Sequence, residues 1–420
     1  MWFSNAFSGG GAANPQAGTW LGSTAGSWGV KSDAGEVVSP TSAFAIPAVQ
    51  RCVMILAEAV SRLPIKIYQA LPDGGFDEVK DHALHPLLQV SPAPFLTPQT
   101  FNEFKQISLG LRGNAYAVKM YDNRGRLVWL MPINPDRVIV LINPENHLPY
   151  YRVTMSPVDG IDGVFSWEDI HHVRWGNSEN PFVGLSPVML HADPLGIAMA
   201  TERHAGKTFK NGTNLGGVLT RPENKPGLSQ EAVKAVLGAW NDAYSGASNA
   251  NKTALLQEGM EFKQMSMTNA DAQIIESRKY GVSDIARIYG IPLHMLGEMS
   301  GSTKANIEQE SLNFLNNTLM PWLRRHEEAM ERDFLTLGER LSGLTIRYDT
   351  KDLLRGDTAA RYSSYSVGIA WGFLSPNDAR HAENLPPIAG GDRYLEPLNM
   401  MAKNDILDQK ATNGKNAQTN

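Results

Sequence analysis

From Pro47 to Leu63 the apolar residues Val49, Cys52, Val53, Leu56, Val60 and Leu63 recur at the spacing of one helix face, with Pro47 in the first turn and Pro64 closing the run. An amphipathic helix is predicted there, feeding a short strand at 65–68. Thr97-Pro98 places a capping hydroxyl before a proline and opens a second helix to about Leu111. Period-two alternation then predicts strands over 114–121 and 126–131, joined by the turn Asp122-Asn123-Arg124-Gly125, with further strands at 137–142, 150–155 and 169–175. Residues 43–183 therefore read as α+β.

After Gly184 the pattern changes. Ser186-Pro187 starts a helical stretch reaching about Lys210, roughly 35 Å at 1.5 Å per residue. A compact strand, helix, strand, strand module follows at 217–220, 229–244, 253–257 and 261–265; in its helix, Leu237, Trp240 and Tyr244 are spaced to pack onto the strands. A second rod starts at Asn269, with Ile275, Val282, Ile285 and Tyr289 near heptad spacing, and ends at Gly290 before Pro292. Residues 299–303, Met-Ser-Gly-Ser-Thr, read as a flexible loop before a long helix from Lys304 to about Leu337, where Pro321 predicts a kink. Two short helices at 357–372 and 375–384 complete the pattern, the second opened by Ser375-Pro376.

The ends differ from this body. Residues 1–42 form a Gly-, Ala- and Ser-rich arm that carries Trp2, Trp20 and Trp28, and residues 397–420 form a polar tail. No Lys or Arg precedes Lys31, which argues against a secretion signal. With 42% hydrophobic and 19% charged residues over 420 positions, the chain is globular and large enough for several units. No apolar run approaches the roughly 18 to 20 residues of a membrane span, so a soluble protein without membrane contact is expected. One cysteine, Cys52, excludes an internal disulfide framework and a cysteine-rich zinc module. A net charge of -5 argues against a strongly basic nucleic-acid grip.

Candidate chemistry is offered and mostly withdrawn. Gly206-Lys207-Thr208 invites a phosphate-loop reading, but Thr201 stands where the first glycine is needed, and the triplet lies in a helical pattern. His326-Glu327-Glu328 resembles the start of a zinc-protease helix, yet Met330 replaces the second histidine. His171 and His172 fall on opposite faces of their strand and so do not share one ion. No nucleophile elbow or paired-acid pattern is present, so no enzyme activity, metal or cofactor is expected.

The order of short strings is more informative. Gly113-Asn114-Ala115-Tyr116-Ala117, Asp169-Ile170-His171-His172-Val173-Arg174, Gly184-Leu185-Ser186-Pro187 and Phe209-Lys210-Asn211-Gly212 are followed by Asp284-Ile285-Ala286-Arg287, Gly290-Ile291-Pro292-Leu293 and Asn306-Ile307-Glu308-Gln309. Ser375-Pro376-Asn377-Asp378 and Gly390-Gly391-Asp392-Arg393 close the series. In this order, across roughly residues 43–400, the chain resembles the portal proteins of tailed bacteriophages, specifically the smaller portal family common in long-tailed phages.

That resemblance implies a multi-domain α+β portal fold of wing, stem, clip and crown. Its ring, usually a dodecamer, has an axial tunnel through which double-stranded DNA is packaged and ejected. Mapped on this chain, it implies an arm at 1–42, wing at 43–183, stem helices at 184–215 and 267–290, and clip (βαββ) at 216–266. The wing continues at 291–349, with a tunnel loop at about 299–306 and the kinked helix, and a helical crown occupies 350–396. Gly301, Ser302, Thr303, Lys304 and Asn306 are the implied tunnel-loop residues; Lys225, Lys234, Asn249 and Lys252 are the implied motor- or adaptor-facing clip positions. Implied partners are further copies of the chain, DNA, the large terminase subunit, the major capsid protein and a head-tail adaptor. The implied location is the capsid vertex of a virion assembled in a bacterial cytoplasm. The sequence departs from the family's habit at Lys304-Ala305, where an aromatic or serine often precedes the Asn-Ile-Glu string.

A channel that slides DNA needs weak attraction, because each neutralised phosphate adds counterion-release affinity. Residues 301–340 hold five basic groups (Lys304, Arg324, Arg325, Arg332, Arg340) against seven acidic ones (Glu308, Glu310, Glu327, Glu328, Glu331, Asp333, Glu339). This predicts either a mildly acidic wall around Lys304 or an ordinary solvated helix face. The competing functions are a packaging-associated nucleotidase or nuclease, and a virion ring component without a DNA path.

Overall fold

A computed structural model describes residues 29–395 apart from 73, 158, 177–179, 212–216, 221–226, 245–259, 265–268, 299–303, 351–357 and 384. The chain divides into two compact units at Tyr348/Asp349. Folding begins earlier than the arm predicted over 1–42. Strands β1 (Val30–Lys31) and β2 (Val37–Val38) pair as a hairpin, and Ser39 caps α1 (Pro40–Phe44) through a reciprocal bond with Ser42. Val38 is fully buried, which is what holds this segment to the body.

Helix α2 (Pro47–Ser61) buries the predicted stripe Val49, Cys52, Val53, Leu56 and Val60 against α3 (Pro98–Arg112). Thr97 caps α3 by accepting the Thr100 amide, and Gly113 ends it at φ 70°. Gly110 on α3 faces Val53, and an added Cβ would stand at ordinary contact distance, 3.5 Å, from a Val53 methyl. Strand β3 (Ile65–Ala70) follows α2 and pairs with β4 (Phe76–Glu78).

Strands β5 (Asn114–Tyr121) and β6 (Leu127–Ile133) form the predicted hairpin; the Asp122 carboxylate accepts the Arg124 and Arg126 amides and Gly125 takes φ 73°. Strands β7 (Val138–Ile142), β8 (Pro149–Val153) and β9 (Gly163–Ser166) make a second antiparallel sheet, in which β9 was not anticipated. β10 (Ile170–Arg174) crosses back to the free edge of β5, giving the order β10-β5-β6. The two sheets share a core of Tyr116, Val118, Ile133, Val138, Tyr151, Val153 and Ile170.

The rod predicted from Ser186 is two helices, α4 (Pro187–Leu190) and α5 (Ala192–Asn211), separated at His191 (φ -114°, ψ 37°). Pro194 explains the break: it has no amide to donate, and its ring clashes with the carbonyl four residues back. Beyond α5, β11 (Gly217–Thr220) pairs antiparallel with β12 (Glu261–Gln264), and α6 (Gln230–Tyr244) lies between them in sequence. Leu237 is 49% exposed and Trp240 is half-buried, while the Tyr244 side chain and most of the strand side chains this helix was expected to pack on lie outside the described residues. The predicted strand at 253–257 lies outside the described residues.

Helix α7 (Asn269–Tyr289) packs against α5 and α2, burying Ile285 and Tyr289. Helix α8 (Lys304–Asn313) passes through π-helical turns at Phe314–Leu319 into α9 (Met320–Phe334). The expected proline kink takes the form of this π segment: the Met320 amide reaches Leu315, five residues back, just before Pro321 enters the first turn of α9. α10 (Leu337–Leu341) starts at a Thr336–Glu339 capping box and leads to β13 (Leu344–Tyr348), an unpredicted strand that pairs with β3. β13 is an edge strand, and its outward amides are covered. Glu331 accepts the Ile346 N–H at 3.1 Å and Glu327 accepts the Tyr348 N–H at 2.9 Å, both from α9.

In the second unit, α11 (Thr358–Ala370) and α12 (Pro376–Ala382) match the two predicted helices. Ser375 and Asp378 form a capping box at the start of α12, and Glu383 joins the helices by bonding Arg361 and Tyr365.

Candidate functional site

Three of the sequence strings converge on one buried junction. Gly113 and Asn114 follow α3, His171 and His172 sit in β10, and Gly184 to Pro187 enter α4. Asn114 is the common partner. Its Oδ1 accepts the Gly184 N–H at 2.8 Å and the His172 Nε2–H at 3.0 Å, while its Nδ2 donates to the Gly184 carbonyl at 3.0 Å and the Arg112 carbonyl at 3.1 Å. Because His172 donates from Nε2, its Nδ1 accepts the Tyr151 hydroxyl at 3.1 Å. The backbone closes the junction: Trp175 N–H donates to Gly113, Leu185 N–H to Trp175, and Ser186 Oγ to the Leu111 carbonyl.

The glycines are steric requirements here. A Cβ on Gly113 would lie 1.8 Å from the Leu185 carbonyl oxygen, and one on Gly184 would lie 2.0 Å from the Gly113 carbonyl oxygen. Only bare backbone allows the two segments to approach this closely.

On the other face of β10, His171 donates from Nδ1 to Asp333 Oδ2 at 2.8 Å. Asp333, near the end of α9, also accepts the His172 backbone N–H and two Arg332 bonds, at 2.6 and 2.8 Å. Arg332 extends to the His172 carbonyl, and Lys119 Nζ donates to the Asp333 carbonyl at 2.8 Å. Burial would raise the Asp333 carboxyl, but the bonds from His171 and Arg332 outweigh it and hold it below the ordinary carboxylate range. Burial lowers His171 to about 4 and His172 and His326 well below the usual imidazole value, so all three rings are neutral at pH 7.

His326 Nε2 lies 2.8 Å from Gln106 Oε1, so this imidazole is spent on α3. Beside it, fully buried Lys105 lies 4.9 Å from the Phe101 ring centre, and burial lowers its amine to about 7. No group of His, Cys, Asp and Glu able to hold a metal ion occurs among the described residues. Gly206-Lys207-Thr208 lies inside α5 rather than at a strand-to-helix turn, so backbone amides do not fan out there to cradle phosphate.

These facts also correct the wall reading of 301–340. Asp333 and Glu327 are inside the fold, bonded to β10 and β13, and Arg332 is spent on Asp333. The charges exposed on α9 include Arg324 and Glu328, an i,i+4 pair at 2.9 Å.

The turn after α7 sets where α8 begins. Gly290 takes φ 67°, its carbonyl accepts Thr318 Oγ1 at 2.8 Å, and His294 Nδ1 pairs with Glu310 Oε2 of α8 at 2.8 Å. Of the tunnel-loop residues, Gly301, Ser302 and Thr303 lie outside the described residues, while Lys304 and Asn306 stand in the first turn of α8 rather than in a loop. Lys234 is exposed on α6; Lys225, Asn249 and Lys252 lie outside the described residues. No helix among the described residues is long and apolar enough to cross a membrane. What sequence reading missed is the role of Asn114: its string was visible, but only the fold brings Gly184 and His172 to it.

A family model described as phage portal protein matches residues 47–384. The chain belongs to the phage portal protein family. It is 27% identical over 382 residues to a probable portal protein of Streptomyces phage phiC31, covering 89% of this chain and 82% of that one. It is 27% identical over 368 residues to the portal protein of Enterobacteria phage HK97, covering 87% and 84%. The fold matches a chain from the neck of a native GTA particle computed with C12 symmetry, with a TM-score of 0.55 at 22% identity over 83% of this chain and 92% of that one. It also matches an HK97 family phage portal protein from Corynebacterium diphtheriae, with a TM-score of 0.53 at 17% identity over 79% and 99%. In this portal protein the junction of Asn114, His172 and Gly184 is buried and hydrogen-bonded across three segments.

Proposed function

We propose that this portal protein is the repeating subunit of a ring, a dodecamer, set at one vertex of a capsid, with double-stranded DNA passing through its axis during packaging and ejection. Family membership across residues 47–384 carries this reading, and α5 and α7 bracketing the β11–α6–β12 module agree with it. In this assignment 43–183 and 291–349 are wing, 184–215 and 267–290 stem, 216–266 clip and 350–396 crown. The stem rod proper starts at Ala192, after the His191 break. The clip, with Lys225, Lys234, Asn249 and Lys252, meets the large terminase subunit and later the head-tail adaptor, and the wing meets the capsid protein. Gly301 to Asn306 approach the DNA. The subunit acts as structure rather than as a catalyst, is assembled in the host cytoplasm, and remains in the virion.

A ring also gives the long helices their packing. Copies placed around a closed axis bury both flanks of each rod, which a lone copy does not. Electron microscopy of the purified protein viewed end-on is the direct test. Rings with a central hole are expected; compact monomers in every condition, including within assembled particles, would end the reading.

A further inference from the structure

We propose that the uncharged N-terminal arm, residues 1–28, seats its aromatic side chains in the apolar groove on the solvent-facing side of the β7–β8–β9 sheet. Val138, Tyr151, Val153 and Phe165 face the shared core, leaving Ile139, Leu141, Tyr150 and Val164 on the opposite face together with Arg152 and Ser166. That face lines an open groove of about 980 Å³, walled by Leu148 and Trp167. Val164 is 66% exposed, Leu148 42% and Trp167 39%. The groove is largely apolar and is interrupted by Glu145, Arg152 and Asp162; an exposed apolar patch rimmed by polar residues marks an interaction site.

The arm has the matching chemistry. It contains no Lys, Arg, Asp or Glu, and carries Trp2, Phe3, Phe7, Trp20, Leu21 and Trp28. A segment below about 40 residues rarely sustains a core of its own, so these rings need a preformed surface to bury against. The arm brings no side-chain charge of its own to desolvate, and its seat is the apolar part of the groove at Leu141, Leu148, Val164 and Trp167 rather than the charged positions Glu145, Arg152 and Asp162.

Its attachment point is defined. The β1–β2 hairpin is pinned to α5 by the Asp33 N–H on Asp193 at 3.0 Å and by Arg203 on Glu36 at 2.7 Å, so the arm leaves the body at Gly29. Fully extended it spans about 90 Å, so distance does not confine it to the nearer groove between α5 and α7, which offers only about 250 Å³. The inference stands independently of ring assembly or DNA passage.

The natural chain suits a cross-linking test, because its sole cysteine, Cys52, is fully buried and burial pushes its thiol up to about 12. Ser23→Cys, beside Trp20, is combined with Val164→Cys in the full chain under mild oxidation. A control pairs Ser23→Cys with Leu341→Cys at a position 79% exposed. The Val164 pair is expected to link well above the control; a link within one chain or between two chains supports the proposal and says whose arm is seated. Linking no better than the control overturns it. Hydrogen exchange gives a second readout: deleting residues 1–28 is expected to speed amide exchange at 163–166 by about tenfold. Unchanged exchange overturns the proposal, as does protection that survives the deletion and is lost only on dilution, which would assign the groove to a second folded copy.

Discussion

Asn114 Oδ1 lies 3.0 Å from His172 Nε2 and takes the Gly184 N–H at 2.8 Å, so one side chain ties the end of α3, strand β10 and the entry to α4. Truncating it strands buried donors and acceptors on three segments. Asn114→Ala is expected to destabilise the fold by about 2–4 kcal/mol, read as a lowered denaturant midpoint. A loss under about 0.5 kcal/mol would show that the junction is not a structural tie.

Two glycines with nearly equal backbone angles separate strain from collision. Gly113 (φ 70°) and Gly125 (φ 73°) both sit in the left-handed region, yet a Cβ on Gly125 meets nothing within 4 Å and one on Gly113 meets the Leu185 carbonyl at 1.8 Å. Gly125→Ala is expected to cost about 1–2 kcal/mol and Gly113→Ala to abolish soluble expression. Equal thermal stabilities for the two variants would contradict the close approach of α3 and the Gly184 segment.

Acid should weaken the fold through its buried imidazoles. Burial lowers His171 from 6.5 to about 4, and lowers His172 and His326 as well, so between those values the unfolded chain holds protons that the folded chain refuses. Stability therefore falls as pH drops from about 6.5 toward 4. Replacing one ring while keeping its bond to Gln106, as in His326→Gln, should flatten the slope of denaturant midpoint against pH in that window. An unchanged slope would remove His326 from the account.

Lys105 makes the opposite kind of variant. Its amine falls from 10.5 to about 7 on burial, so the folded state carries the full penalty below pH 7 and loses it as pH rises toward 10.5. Lys105→Met is expected to be more stable than the natural chain by about 2–4 kcal/mol at pH 7 and below, with the gap narrowing above pH 7. A destabilised variant at pH 6 would mean that the ammonium earns its place through attraction to Asp333.

The DNA path is tested at the start of α8. Lys304→Glu, and deletion of Gly301 to Thr303, should impair packaging or genome retention while end-on images still show rings. Normally filled heads from both variants would favour a ring component without a DNA path.

Much of the architecture was legible because local chemistry dictates it. Thr97-Pro98 and Ser375-Pro376 start helices where expected, since a hydroxyl cap before proline satisfies an amide and needs none from the next residue. The β5–β6 turn follows from Asp122 and Gly125, and the alternation on either side supplies its strands. By contrast, β13 is five residues whose partner, β3, lies far away in sequence, and its exposed amides are satisfied by Glu327 and Glu331 of a third element. No local period encodes such pairing.

Charge shows the same division. The number of acids and bases in 301–340, the helical period that holds them and the motif order that marks the family are all written in the order of residues. The packing around α9 is what turns Asp333 and Glu327 inward, holds the half-exposed Arg332 against Asp333, and leaves Arg324 and Glu328 in solvent. A helix repeats every 3.6 residues whatever surrounds it, but which of its faces is buried depends on where β10 and β13 come to rest.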